Sequence, residues 1–125
     1  MNVFNGGAHA DTNLDMQEFI VIPHGFKKFS RQLQAGSEIF HALGDVLRAD
    51  DMDTDVGNEG GYAPDVGKTE QALEYLVKAI KKAKYKPGKE IGLGIDVAAS
   101  EFYDHKTERY ILKTDRRKMT ATEMT

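Results

Sequence analysis

The chain has 125 residues, 40% hydrophobic and 30% charged, with a formal net charge of −3, which suits one ordinary globular domain rather than a disordered segment. This mildly acidic balance gives no electrostatic footing for nucleic acid or an anionic membrane, and the absence of cysteine excludes a disulfide framework and thiol chemistry while suiting a reducing cytosol. No apolar run approaches the roughly 18 residues of a membrane span, and the first residues lack the basic-then-apolar pattern of a secretory signal.

Residues 1–4 form a short apolar segment that enters a turn at Gly6 and Gly7. A polar stretch from His9 to Asp15 follows. Residues 19–22, Phe-Ile-Val-Ile, are largely β-branched and bounded by Pro23, which predicts a buried strand. From about Lys27 the period changes. Phe29, Leu33, Gly36, Phe40, Leu43 and Leu47 recur at helical spacing and predict one amphipathic face, ending near Arg48. An acidic loop, residues 50–55, leads into Val56-Gly-Asn-Glu-Gly-Gly-Tyr-Ala-Pro64. Thr69 is the expected cap of a second helix, with Glu70 in its first turn. Ala72, Leu73, Leu76, Val77, Ile80 and Ala83 are its expected inner stripe. Lys78, Lys81, Lys82 and Lys84 read as a solvated face that suits the C-terminal dipole. Residues 91–95 predict a strand, with Gly92 and Gly94 marking one face for tight packing. Residues 110–112 predict a short hairpin arm, and Thr120 and Thr122 resemble helix caps near the last residue given. The order is strand, strand, helix, helix, strand, then a helix start. That is an α/β pattern, but not the simple βαβα alternation of the commonest barrels.

Several residues could carry chemistry. Glu59 stands among Gly57, Gly60 and Gly61, on backbone that can turn sharply and approach another molecule; a plain surface turn has the same composition. Asp96 ends an apolar strand, where a carboxylate can ligate Mg²⁺ or cap the following turn. His9 lies in the polar loop after the glycine turn and could contact a substrate or move a proton. Glu18, with Gln17, borders the strand of residues 19–22. His24, His41 and His105 have no metal-ligand spacing. No phosphate-binding P-loop, dinucleotide glycine fingerprint or nucleophile elbow is present.

Taken together, six blocks resemble enolase over essentially the whole chain. They are Asn5-Gly-Gly-Ala-His-Ala10, Met16-Gln-Glu-Phe19, Ala35-Gly-Ser-Glu-Ile-Phe-His41, the run from Val56 to Pro64, Tyr85-Lys-Pro-Gly88, and Asp96-Val-Ala-Ala-Ser-Glu-Phe-Tyr103. The resemblance implies a fold: an incomplete enolase-type β/α barrel, with residues 1–125 forming its first part in the order β-β-α-α-β. The capping domain and later strands lie outside the chain. It also implies Mg²⁺-dependent dehydration of 2-phosphoglycerate to phosphoenolpyruvate in glycolysis, a cytoplasmic setting, and a homodimer for the full-length family. On that resemblance Asp96 matches a Mg²⁺ ligand and Glu59 the acid that helps the hydroxyl leave. Glu18 matches a neighbouring active-site carboxylate. Gln17 and His9 match substrate contacts.

One local departure is Asn58, where the family usually has Asp. The family's base lysine, a second lysine, two further metal carboxylates and a phosphate-binding Arg-Ser pair also lie in segments this chain does not contain. A barrel of this class takes about 250 residues. Two expectations follow. The chain is a segment of an enolase that is inactive by itself, or it is a non-catalytic enolase-like remnant or interaction module whose open edges a partner covers.

Overall fold

The structure, a computed structural model, describes residues 1–125 apart from the side chain of His9. Chain order is β1 (Asn2–Asn5), a 3₁₀ turn (Gly7–His9), β2 (Glu18–Ile22), α1 (Phe29–Ala49), α2 (Thr69–Lys82) and β3 (Gly92–Asp96). A second 3₁₀ turn (Ala99–Phe102), β4 (Tyr103–Asp104), β5 (Arg109–Leu112), β6 (Arg117–Met119) and α3 (Ala121–Met124) complete it. The expected β-β-α-α-β order is present. The described residues form two small antiparallel sheets, β1-β2-β3 and β4-β5-β6, and close no barrel.

In the first sheet β2 is central and antiparallel to both neighbours. The carboxyl ends of β1 and β3 therefore meet the amino end of β2 at one edge. Side chains alternate across the sheet. Phe19 and Val21 point to the helices and are fully buried, whereas Ile20 is half-buried and Ile22 is 44% exposed on the opposite face. The strand of residues 19–22 is thus buried on one side only. Gly94 and Gly92 lie opposite Ile20 and Ile22 in register. A Cβ at Gly94 would sit 3.2 Å from Ile22 Cδ1, so the small residues make room for the large ones across the strands.

Helices α1 and α2 pack on each other and cover the first sheet, where Ile39, Leu43, Leu47, Leu76 and Ile80 surround Phe4 and Phe19. Burying each such side chain is worth about 1.5–3 kcal/mol. The expected apolar face of α1 is corrected at its start: Phe29 is 74% and Leu33 56% exposed, and the buried face begins at Ala35. A helix of 21 residues spans about 31 Å, longer than the strands beneath it, and its first turns overhang the core. Lys78 reaches Asp50, the C-cap of α1, at 3.6 Å, and Lys82 reaches Asp45 on α1 at 3.8 Å. These exposed pairs contribute little.

The cap of α2 also differs from expectation. Thr69 is the first helical residue, preceded by Lys68, and its buried hydroxyl has no partner among the described groups. Its backbone N–H instead donates to Asp115 Oδ1 at 2.8 Å. Thr120 does cap, in a reciprocal box with Glu123, and begins the four-residue α3. The β4-β5-β6 meander extends the single arm expected at residues 110–112. It docks through Asp115 and through Asp15, whose Oδ2 accepts the Thr114 N–H at 2.9 Å.

Candidate active site

The edge where β1, β2 and β3 end gathers most of the singled-out residues. Glu18 opens β2, with Asn5 opposite it on one side and Asp96 on the other. Directly paired residues present their side chains to one face, so Glu18 and Asp96 stand side by side across the strands. The Gln17 N–H donates to the Asp96 carbonyl at 3.1 Å, which ties the approach to β2 to the end of β3.

Asp96 is exposed, and its Oδ1 accepts the Ala98 N–H at 3.1 Å. One Asp96 oxygen thus holds the following turn, the capping alternative expected of this residue. A hard dication such as Mg²⁺ takes one or two protein carboxylates and fills its octahedron with water and substrate oxygens. Asp96 beside Glu18 fits that donor chemistry. No group of three or more His, Asp or Glu side chains that could hold a metal ion occurs among the described residues.

Glu59 is exposed at the tip of a tight hairpin. The Gly57 N–H donates to the Gly61 carbonyl at 2.8 Å, the Gly60 N–H donates to the Gly57 carbonyl at 3.0 Å, and Val56 bridges Tyr62. Beyond the hairpin Tyr62 bridges Phe4 in parallel, its ring stacked on Phe40 with centroids 4.4 Å apart. The hairpin is therefore bound to the outer edge of β1, beside Phe4 and Asn5. Neither Glu18 nor Glu59 is a free carboxylate.

His9 closes the 3₁₀ turn that follows β1, but its side chain lies outside the described residues. The turn itself is fixed. The Gly6 N–H donates to the Gln17 carbonyl and the Gly7 N–H to the Leu14 carbonyl, both at 2.8 Å. A Cβ at Gly6 would lie 2.3 Å from the Met16 carbonyl, which requires glycine there. Gly6 and Gly7, which lead into His9, are thereby held beside the approach to β2.

A family model described as the enolase C-terminal TIM barrel domain matches residues 1–125. The chain belongs to that family. Enolase C-terminal domains are parts of lyase-type enzymes. Among the described residues, no helix is long and apolar enough to cross a membrane.

Sequence reasoning left out Asn5, which is fully buried at this edge and bonded to the Glu59 hairpin. The available signal was an amide that ends an apolar segment directly before Gly-Gly. Its significance depends on a contact 56 positions away. The clear shifts in acidity lie in the scaffold. Hydrogen bonds from Tyr85 and Gln34 hold Glu38 below the ordinary carboxylate range, and the bond to Glu38 raises the Tyr85 phenol.

Proposed function

We propose that this chain forms the first part of the barrel of an enolase-type lyase and contributes to dehydration of 2-phosphoglycerate to phosphoenolpyruvate. The observation that carries this reading is that Glu18 pairs directly with Asp96, while Asn5, paired with Glu18 on its other side, also bonds the hairpin that carries Glu59. Asp96 would hold Mg²⁺, which when bound supplies positive charge to the developing negative charge on the substrate carboxylate. Glu59 in its protonated form gives its proton to the departing C3 hydroxyl, which leaves as water. Glu18 keeps negative charge beside Asp96 and helps orient the reacting end of the substrate. Gln17 and His9 contact the substrate. In this reading the base that removes the C2 proton, the remaining metal ligands and the phosphate-binding groups come from further segments of a longer, cytoplasmic, dimeric polypeptide.

A second reading, a non-catalytic enolase-like interaction module, is favoured by the open sheet face at Ile20 and Ile22. Phosphoenolpyruvate formation at saturating Mg²⁺ separates the two. It should be measured for the chain alone and for a complete enolase barrel whose first segment is replaced by residues 1–125. Turnover by the hybrid, lost on Asp96→Ala, is expected. A hybrid that works equally well with Asp96→Ala would refute the assigned metal ligand. A folded hybrid with no turnover would favour the non-catalytic module, and turnover by the chain alone would refute its role as an incomplete segment.

A further inference from the structure

Among the described residues, Asn5 is the one fully buried polar side chain where β1 and β2 pair beside the candidate residues. A buried amide is costly unless it is hydrogen-bonded, so its partners show what holds it there. Its Oδ1 accepts the Gly61 N–H at 2.7 Å, and the Asn5 backbone N–H donates to the Tyr62 carbonyl at 2.8 Å. The Tyr62 N–H donates to the Val3 carbonyl at 3.0 Å. Residues 61 and 62 thus lie along β1 as a short added strand, and the Asn5 side chain supplies its last rung.

The fit is tight from the hairpin side as well. A Cβ at Gly61 would stand 2.3 Å from Asn5 Oδ1 and 2.8 Å from the Phe4 nitrogen. Because Gly61 presents a donor, the oxygen of the amide must face it, which sets the orientation of the group. The other end, Nδ2, is buried with no acceptor among the described groups. An apolar side chain would avoid that cost, but it could not accept from Gly61.

Across the other edge of β1, Asn5 is paired with Glu18, which is paired in turn with Asp96. One residue therefore joins the hairpin that carries Glu59 to the strands that carry the other two carboxylates. We propose that Asn5 is a positioning residue that fixes Glu59 relative to Glu18 and Asp96. This rests on the reading of Glu59 as the leaving-group acid.

Two readouts test it. The first is amide hydrogen exchange in the 125-residue chain. Asn5→Leu should speed exchange at Gly61 about tenfold, the effect of one lost hydrogen bond, while Phe19 and Val21 in β2 stay protected. Asn5→Asp keeps the acceptor and should restore protection at Gly61. Gly61→Ala strikes the same contact from the hairpin side and serves if Asn5→Leu does not fold. Unchanged exchange at Gly61 in Asn5→Leu, or unchanged exchange at Tyr62 in Gly61→Ala, would overturn the proposal.

The second readout is kinetic, in the hybrid barrel. Asn5→Leu should lower dehydration relative to exchange of the C2 proton, with KM little changed, and Asn5→Asp should recover part of the loss. If Glu59→Gln lowers that ratio and Asn5→Leu does not, the positioning role is overturned. If Gly61 exchange responds to Asn5→Leu but Glu59→Gln leaves the ratio unchanged, the acid role of Glu59 fails and the hold on its hairpin stands.

Discussion

The two sheets are built on different physics. The β1-β2-β3 sheet rests on two helices, and its inward side chains Phe4, Phe19 and Val21 are fully buried among α1 and α2. The β4-β5-β6 meander buries only Leu112 and Met119 among its hydrophobics. It is held to the rest through polar bonds from Asp115 and Asp15 and through Thr114, whose hydroxyl donates to the Asn13 carbonyl. The candidate carboxylates belong to the first region. Groups that must keep a fixed geometry sit best on rigid, packed elements, and here the packed sheet carries Glu18 and Asp96.

Perturbing each region separately should reveal that difference. The largest effect is expected in the first. Leu43→Ala or Phe19→Ala removes a fully buried side chain and should cost roughly 3 kcal/mol in denaturant unfolding. A loss below about 1 kcal/mol would mean that the helices do not hold the first sheet. Next, Asp115→Ala removes the acceptor at the start of α2 and should cost about 1 kcal/mol. Faster amide exchange is expected in β5 and β6, with Phe19 and Val21 unaffected. Equal acceleration in both sheets would show one cooperative unit instead of two.

The smallest effect concerns pH. Glu38 sits below its ordinary value of 4.5, so its bond to Tyr85 stabilises the fold above that pH and is lost as pH falls through the lowered value. Tyr85 sits above its ordinary value of 10.0; its contribution is present below that pH and is lost as pH rises through the raised value. Tyr85→Phe should flatten both limbs of a plot of thermal midpoint against pH. Because this contact joins α1 to the segment after α2, exchange in β4-β5-β6 should not follow it.

Local pattern made the packed region readable. The period of α1 set its limits closely, and the β-branched run marked β2. The same pattern failed at Phe29 and Leu33, where the helix continues past the sheet that would have covered them. Thr69 was expected to cap α2 because its residue type suits a cap, but an acceptor 46 positions downstream took that role. The meander was mostly hidden, since strands of two to four residues rich in charge, such as Arg109–Leu112 and Arg117–Met119, carry little alternation. Glu18, Gln17, Glu59 and Asp96 were visible as residues, yet their meeting depends on the pairing of β2 with β1 and β3. Asn5 was invisible as a functional residue because only the long-range bond to Gly61 reveals it.

The central claim is that Glu59, carried on a hairpin bound to this sheet edge, acts on the leaving hydroxyl and not on the C2 proton. The direct measurement is Glu59→Gln in a complete barrel carrying residues 1–125, following exchange of the C2 proton of 2-phosphoglycerate with solvent alongside phosphoenolpyruvate formation. Dehydration should fall by about 10²–10⁴-fold while C2 exchange persists. Loss of both in equal measure would contradict the account.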